Sequence, residues 1–291
     1  MFYTIKNEKL EVTVNAHGAE LHSIRSTDGT EYLWQGDPAV WKGQAPNLFP
    51  YVARLTDGKF TYKEKQYSMK IHGFINAVDL EAEQVSEDQI TFRYDSNEET
   101  MAQYPFPFIY RITYALSGNV LSVTSQVENT GEERMFFGIG GHPGFRVPLE
   151  EGLSFEDYCL EFAQETHPYR VGFTDDCHVN GQDLPYPLEG GKRMWLHHDL
   201  FDHDAVVLKH ACRCVTLRSD RGSRAVRVTF PDYPVVGFWH MPKMEAPYVC
   251  IEPWSSLPSR AGIIEDLTQQ SDLISLDSKK TYCNNWTIEI Q

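Results

Sequence analysis

Basic side chains and long apolar runs are both scarce in this sequence. Lysine and arginine number 26 against 41 aspartate and glutamate residues, which gives a formal net charge of -15. Nucleic acids and anionic membranes attract basic patches, so this charge argues against either as a partner. No apolar run reaches the roughly 18 residues of a membrane-spanning helix. Lys6 and Glu8 follow residues 1–5 directly, where a secretory signal would be apolar. We therefore expect a cytoplasmic protein.

Cysteine is sparse and irregularly placed. Cys212 and Cys214 have no second pair of cysteines at the spacing of a zinc site, and the other four cysteines are scattered. We interpret all six as reduced thiols.

Helical periodicity is rare, whereas apolar and polar residues often alternate. Residues 10–14 and 282–290 alternate in this way, and residues 108–116 and 120–127 predict a hairpin. One short helix is expected at residues 97–103. Many short strands with few helices predict an all-β fold, and specifically a large antiparallel β-sandwich.

Size and composition agree with one large unit. At 41% hydrophobic and 13% aromatic residues, the chain can bury a sizeable core. All-β chains of similar length often form one domain, so we expect residues 1–291 to be a single domain. A further hairpin is predicted from residues 59–62 and 67–71, and residues 38–50 predict a long loop, a feature that is often functional.

Five ionisable residues stand at the ends of predicted strands or in loops, where a rigid sheet can present side chains to a ligand. His142 lies in the segment GIGGHPGF at residues 138–145, whose glycines indicate a close approach to the backbone. Glu252 follows an apolar run and precedes Pro253 and Trp254. The other three candidates are Arg54, His72 and Asp204.

These residue types suit proton transfer. A carboxylate and an imidazole can act together as general base and general acid, because histidine titrates near neutrality and burial tunes a glutamate. Trp254 would share a strand face with Glu252, where its ring could stack on a sugar or fill the core.

Structural alternatives remain open at this level. Glu252 could form a structural ion pair with Arg54, and His142 could be a surface histidine in a tight turn. Asp204 could cap a helix or a turn. A group of nearby residues suggests a metal cluster, but its spacing matches no known ligand motif, so we predict no metal ion. That group is His197, His198, Asp202 and His203.

Six segments give the chain a resemblance to a known family. The chain resembles the aldose 1-epimerase (galactose mutarotase-like) family, and most closely its bacterial LacX-like branch. In chain order the segments are NAHGAEL at 15–21, YLW at 32–34, APNLFP at 45–50 with VARL at 52–55, HGF at 72–74, GHPGF at 141–145 and CIEPW at 250–254.

The resemblance implies a β-sandwich of the type called a supersandwich, and an enzyme that interconverts the α and β anomers of a free aldose without a cofactor. It implies Glu252 as general base and His142 as general acid, with His72, Arg54 and Asp204 in sugar-contacting positions. On this picture, ionised Glu252 takes the proton of O1 while protonated His142 gives one to O5, and the two side chains flank the ring.

Other functions are compatible with the same pattern. The partner is expected to be a monosaccharide, and the protein a monomer or homodimer. Galactose mutarotases have asparagine where this chain has Ala53, so the resemblance does not specify the sugar. The alternatives are a non-catalytic carbohydrate-binding protein, a hexose-6-phosphate 1-epimerase and a metal-dependent β-sandwich enzyme.

Overall fold

Short strands make up most of the regular structure of the protein. The computed structural model describes residues 1–291, apart from the side chain of Gln84. The first thirteen strands are β1 (Phe2–Lys6), β2 (Leu10–Asn15), β3 (Glu20–Ser26), β4 (Asn47–Leu48), β5 (Lys59–Tyr62), β6 (Lys65–Ser68), β7 (Glu81–Val85), β8 (Gln89–Asp95), β9 (Phe108–Ser117), β10 (Val120–Asn129), β11 (Met135–Phe137), β12 (Gly140–Gly141) and β13 (Gly144–Arg146).

The second half of the chain continues in the same manner. Its strands are β14 (Tyr158–Phe162), β15 (Tyr169–Arg170), β16 (Leu184–Pro185), β17 (Arg193–Trp195), β18 (Val206–Lys209), β19 (Cys214–Ser219), β20 (Ala225–Thr229), β21 (Val235–Trp239), β22 (Tyr248–Trp254), β23 (Glu265–Asp266), β24 (Ile274–Leu276) and β25 (Thr281–Ile290).

Helical structure is limited to one α-helix and a few 3₁₀ turns. Helix α1 (Glu98–Gln103) begins where the sequence predicts it, because Asn97 and Thr100 form a reciprocal capping box. Within the residues that the structure describes, no helix is long and apolar enough to cross a membrane. The 3₁₀ turns are Thr56–Gly58, Ile75–Ala77, Phe155–Asp157 and His198–Phe201.

Two large sheets organise the fold. One has nine strands in the order β17-β14-β19-β20-β25-β10-β9-β8-β7, and the other runs β16-β15-β18-β21-β22-β12-β4, with β13 also paired to β22. Smaller sheets contain β1-β2-β3, β11-β24 and β23-β5-β6. Neighbouring strands in the two large sheets pair antiparallel. The predicted all-β antiparallel sandwich is therefore confirmed.

The main core receives side chains from both large sheets. Val123 and Ile288 come from the nine-stranded sheet, and Leu208 and Ile251 from the other, and all four are fully buried. Each such side chain stabilises the fold by about 1.5–3 kcal/mol relative to its exposed state. Ile5 and Ile290 belong to the same cluster, so it reaches both ends of the chain.

One predicted strand lies earlier than expected. The sequence favours a strand over residues 67–71, whereas β6 ends at Ser68 and pairs Lys65 with Tyr62. The reason is a two-residue turn, since Lys63 and Glu64 both have positive φ, of 50° and 63°. Such a turn suits the right-handed twist of a hairpin. Residues 69–72 are thereby released from the sheet.

Candidate active site

All five residues singled out in the sequence line one cavity of about 890 Å³. This volume lies within the range of about 300–1,000 Å³ that is typical of small-ligand sites. The wall combines carboxylates and imidazoles with several aromatic rings, which belong to Trp41, Phe173, Trp239 and Trp254. Polar groups beside flat apolar rings suit a ligand that carries hydroxyl groups on a saturated ring.

Glu252 is presented by β22, whose seven residues are all buried. Successive side chains of a strand point to opposite faces. Val249 and Ile251 therefore enter the main core, whereas Glu252 and Trp254 on the other face line the cavity. The adjacent strand β21 places Gly237 opposite Glu252. A carboxylate is thus held at the centre of a rigid sheet.

His142 lies in the break between β12 and β13, which pair with β22 on either side of Glu252. The backbone N–H of His142 leaves this ladder and donates to the carbonyl of Pro46, at 3.1 Å. A Cβ atom on Gly140 would lie only 2.8 Å from the carbonyl oxygen of Pro253. The close backbone approach that the glycines predict is therefore present, and it sets the imidazole opposite the carboxylate.

The acid and base candidates touch each other. Nε2 of His142 lies 3.3 Å from Oε2 of Glu252, and Nε1–H of Trp254 donates to the same oxygen at 3.1 Å. Only 1% of Glu252 and 8% of His142 is exposed, so little water competes for these contacts. A sugar ring cannot lie between two side chains in contact. This contact contradicts the expected flanking arrangement, because both side chains lie on one wall of the cavity.

Burial governs the protonation of this pair. It lowers the pKa of His142 to about 4. It also raises the pKa of Glu252 well above its usual range, although the hydrogen bond from Trp254 opposes the rise. Both shifts favour uncharged side chains. Apart from the N–H that the imidazole always keeps, a neutral pair carries one titratable proton. A carboxylate beside an imidazolium carries the same number, and the two forms differ only in which atom holds that proton.

His72 lies beside His142, with ring centroids 5.5 Å apart and planes nearly perpendicular at 85°. Its Nδ1 accepts a hydrogen bond from the backbone N–H of Ala53, at 3.1 Å. Burial is the main cause that lowers the pKa of His72 well below its usual range, helped by His142 and Arg54. A neutral ring whose Nδ1 accepts must carry its proton on Nε2. His72 is therefore a fixed Nε2–H donor at the cavity.

Arg54 and Asp204 form the more open side of the cavity. Nη2 of Arg54 lies 3.6 Å from Oδ2 of Asp204, and both side chains are partly exposed. The Cys177 thiol donates to the same carboxylate oxygen, at 3.0 Å, and the N–H of Ala205 donates to the other, at 2.9 Å. The carboxylate is thus oriented from three sides and remains accessible to a ligand.

Two tryptophan rings pack around His142. The ring centroid of Trp41 lies 5.1 Å from that of His142, and the Trp239 ring meets the imidazole edge-on at 5.4 Å. Trp41 comes from the long loop that the sequence predicts as functional. These rings restrict the movement of the imidazole and exclude water, which strengthens the electrostatic interactions between His142 and Glu252.

The structure decides between the alternative roles that the sequence left open for these residues. Arg54 pairs with Asp204 and not with Glu252, and His142 is buried rather than on the surface. Asp204 does occupy a turn, with φ of 71°, while it also lines the cavity.

The residues of the suspected metal cluster interact elsewhere. Nδ1 of His198 lies 3.1 Å from Nε2 of His240, and Nδ1 of His197 lies 3.6 Å from Oε1 of Glu156. Asp202 accepts a hydrogen bond from the backbone N–H of Lys243, at 3.2 Å.

Glu20 was not singled out in the sequence, although it lies within the segment NAHGAEL. Its Oε1 accepts from the backbone N–H groups of Gln44 and Ala45, at 2.8 Å and 3.0 Å. These residues lead directly to Pro46, whose carbonyl holds His142. Glu20 thereby anchors the loop that positions the imidazole. Cys177 was also missed, because its contact with Asp204 depends on the tertiary fold.

The geometry agrees with comparisons to known proteins. Residues 1–265 match the family model described as aldose 1-epimerase. Protein LacX, plasmid, from Lactococcus lactis subsp. lactis is 36% identical over an alignment of 294 residues, gaps included. The alignment covers 97% of this chain and 98% of that protein. The chain therefore belongs to the aldose 1-epimerase family, and membership supports a carbohydrate epimerase.

Solved structures lead to the same fold. A galactose mutarotase related enzyme from Lactobacillus acidophilus has a TM-score of 0.95 and 35% identity, covering 100% of this chain and 97% of its own. A galactose mutarotase-like protein from Lactobacillus casei ATCC 334 has a TM-score of 0.95 and 30% identity, with 100% of both chains covered. The galactose mutarotase-like sandwich that the sequence predicts is confirmed.

Proposed function

We propose that this protein is an aldose 1-epimerase that interconverts the α and β anomers of a free aldose by acid–base ring opening. The observation that carries the proposal is the contact of 3.3 Å between Nε2 of His142 and Oε2 of Glu252 at the wall of the cavity. An imidazole and a carboxyl that share one proton can both accept and donate one, and anomer exchange requires both.

The reaction needs two proton transfers at neighbouring atoms. Opening a hemiacetal ring removes a proton from O1 and adds one to O5, and both oxygens are bonded to C1. Glu252 and His142 lie side by side, so one group can serve O1 while the other serves O5. Rotation about C1–C2 in the open aldehyde followed by reclosure gives the other anomer. No net proton is gained or lost.

The pair enters the reaction with its single proton. In the charged form, the Glu252 carboxylate takes the O1 proton and the His142 imidazolium protonates O5. Burial favours the neutral form of the pair before a sugar binds. Sugar hydroxyl groups would supply hydrogen bonds that compensate for burial and make the charged form accessible. Reclosure returns the proton, so the pair is restored after each turnover.

The remaining residues would hold the sugar. The Nε2–H of His72 donates to a hydroxyl, and Asp204 accepts from another hydroxyl while Arg54 donates beside it. Trp41 and Trp254 offer flat apolar surfaces to the C–H groups of the ring. Because this recognition uses hydrogen bonds and apolar contact, we propose a neutral monosaccharide and no cofactor.

We propose that residues 1–291 act as one domain in the cytoplasm. The main hydrophobic cluster supports a single unit, because it includes both Ile5 and Ile290. The net charge of -15 supports a partner that is neither nucleic acid nor an anionic membrane.

Polarimetry with freshly dissolved α-glucose, α-galactose and other aldoses tests the proposal. Enzyme should accelerate the approach to the same final rotation that the uncatalysed sugar reaches. Binding of these sugars without acceleration would identify a carbohydrate-binding protein. Tight competition by glucose 6-phosphate but not by glucose would identify a phosphosugar epimerase. Either outcome would overturn the proposal.

A further inference from the structure

Three donor atoms of different kinds lie close together beside the cavity. One ring nitrogen of His142, the Sγ of Cys250 and one carboxylate oxygen of Glu252 lie within 4.8 Å of one another, and all three residues are buried. The proposed epimerase reaction uses His142 and Glu252. It assigns no role to Cys250.

The backbone holds this group together. Cys250 and Glu252 are two residues apart on β22 and therefore share one face of that strand. His142 enters from the break between β12 and β13 directly opposite them. Its Nδ1 is buried and has no hydrogen-bond partner among the described residues. The donor set is thus fixed by a buried sheet and does not depend on mobile surface side chains.

We propose that His142, Cys250 and Glu252 form an inhibitory site for a thiophilic divalent cation of the zinc class. Zinc accepts sulfur, nitrogen and oxygen ligands together, and three protein ligands leave its fourth position open. Here that position faces the cavity, because His142 and Glu252 both line it. Magnesium and calcium prefer oxygen ligands alone, so the site discriminates against them.

Entry of the cation is balanced in charge. The thiol of Cys250 loses its proton, and the single proton of the His142–Glu252 pair also leaves to solvent. Two protons depart as one dication arrives, so the net charge of the buried group does not change and no electron is transferred. The donor atoms must move together slightly, since zinc lies about 2.0–2.3 Å from nitrogen, oxygen and sulfur ligands.

Binding removes the catalytic pair from the reaction. Both proton-transferring groups become ligands and can no longer exchange protons with O1 and O5. Inhibition is therefore reversible by a chelator and competitive with sugar. This consequence rests on the proposed function, whereas the binding of the cation does not.

Absorbance spectroscopy with Co²⁺ as the probe tests binding alone. The wild-type protein, reduced with a thiol-free reductant, should develop a near-ultraviolet thiolate-to-cobalt absorption at one equivalent of Co²⁺, and Zn²⁺ should abolish it. Cys250→Ser should lack this absorption, whereas Cys177→Ser, which alters the other thiol close to the cavity, should keep it. Absence of the band in the folded wild type would by itself overturn the proposal, as would its persistence in Cys250→Ser.

Inhibition by buffered Zn²⁺ gives the second readout. Removing even an outer partner of a metal ligand weakens affinity about 10- to 100-fold. Loss of the Cys250 ligand should therefore raise the inhibitory Zn²⁺ concentration at least about 100-fold, while Mg²⁺ has no effect on either protein. Equal inhibition of wild type and Cys250→Ser would contradict the site. If the protein shows no epimerase activity, the cobalt spectrum still decides whether the cation binds.

Discussion

The indole Nε1–H of Trp254 donates to Oε2 of Glu252 at 3.1 Å, and this is the same oxygen that lies 3.3 Å from His142. Two residues apart on one strand, the indole and the carboxylate share a face of β22. The indole therefore directs this carboxylate oxygen toward the imidazole and stabilises the charged form of Glu252.

Replacement of this donor should slow catalysis. Trp254→Phe keeps the apolar surface but loses a hydrogen bond to a charged group, worth about 1.5–3 kcal/mol, so kcat should fall about 10- to 100-fold. The pKa of Glu252 should rise further, since the lost bond lowers it, and the alkaline limb of the pH profile should shift upward. Trp195→Phe, outside the cavity, is the control. An unchanged kcat and profile for Trp254→Phe would rule out this positioning role.

The pH dependence of kcat/KM should be bell-shaped, because in the proposed reaction the pair works only with one titratable proton. As pH falls through about 4, the lowered pKa of His142, a second proton is added and no base remains. As pH rises, the last proton is held longer because burial raises the pKa of Glu252. Measurements in chelator-containing buffers should place the acid limb well below the ordinary histidine value of about 6.5. An acid limb centred there would contradict the buried pair.

His72 should act mainly in sugar binding. Asn is the informative replacement, since its Oδ1 can accept from the N–H of Ala53 and it tolerates the φ of 65°. Only the Nε2–H donor is lost. One neutral hydrogen bond contributes about 0.5–1.5 kcal/mol, so KM should rise about 2- to 10-fold with little change in kcat. A drop in kcat at constant KM, measured by polarimetry over a range of sugar concentrations, would instead assign His72 to proton transfer.

The backbone beside His72 should tolerate no side chain. A Cβ on Gly73 would lie 2.3 Å from the carbonyl oxygen of Phe49, and φ there is 78°. Gly118 has φ of 55° with open space around it. Gly118→Ala should cost about 1–2 kcal/mol for its backbone conformation alone, and Gly73→Ala distinctly more because of the clash. Urea unfolding of both variants checks this, and equal losses would contradict the described packing.

Much of the fold follows from local pattern. Residues 108–116 alternate buried and partly buried side chains along β9, as expected for a strand with one face in the core. The capping residue Asn97 is likewise visible in the sequence. The strand near residues 67–71 was misplaced because Lys63 and Glu64 adopt positive φ, a conformation that neither residue type favours.

The candidate site, like the fold, was predictable from the sequence only in part. Glycines around His142 and the apolar run before Glu252 mark both residues, because each signal is local. Their contact was not predictable, since it requires β12 and β13 to pair with β22 across a long stretch of chain. Their protonation was predicted as charged, whereas burial favours the neutral forms. Desolvation depends on the whole packed structure and leaves no trace in residue order.

The rate of anomer exchange in Glu252→Gln and His142→Asn tests the central claim most directly. Each variant should lose about 10²- to 10⁴-fold in kcat when followed by polarimetry. The double variant should be little slower than either one, because the two groups act as a unit. Glu132→Gln, at an exposed position, should match the wild type. Near-wild-type rates in either folded single variant, with every aldose that the wild type accepts, would contradict a shared proton between positions 142 and 252 as the source of catalysis.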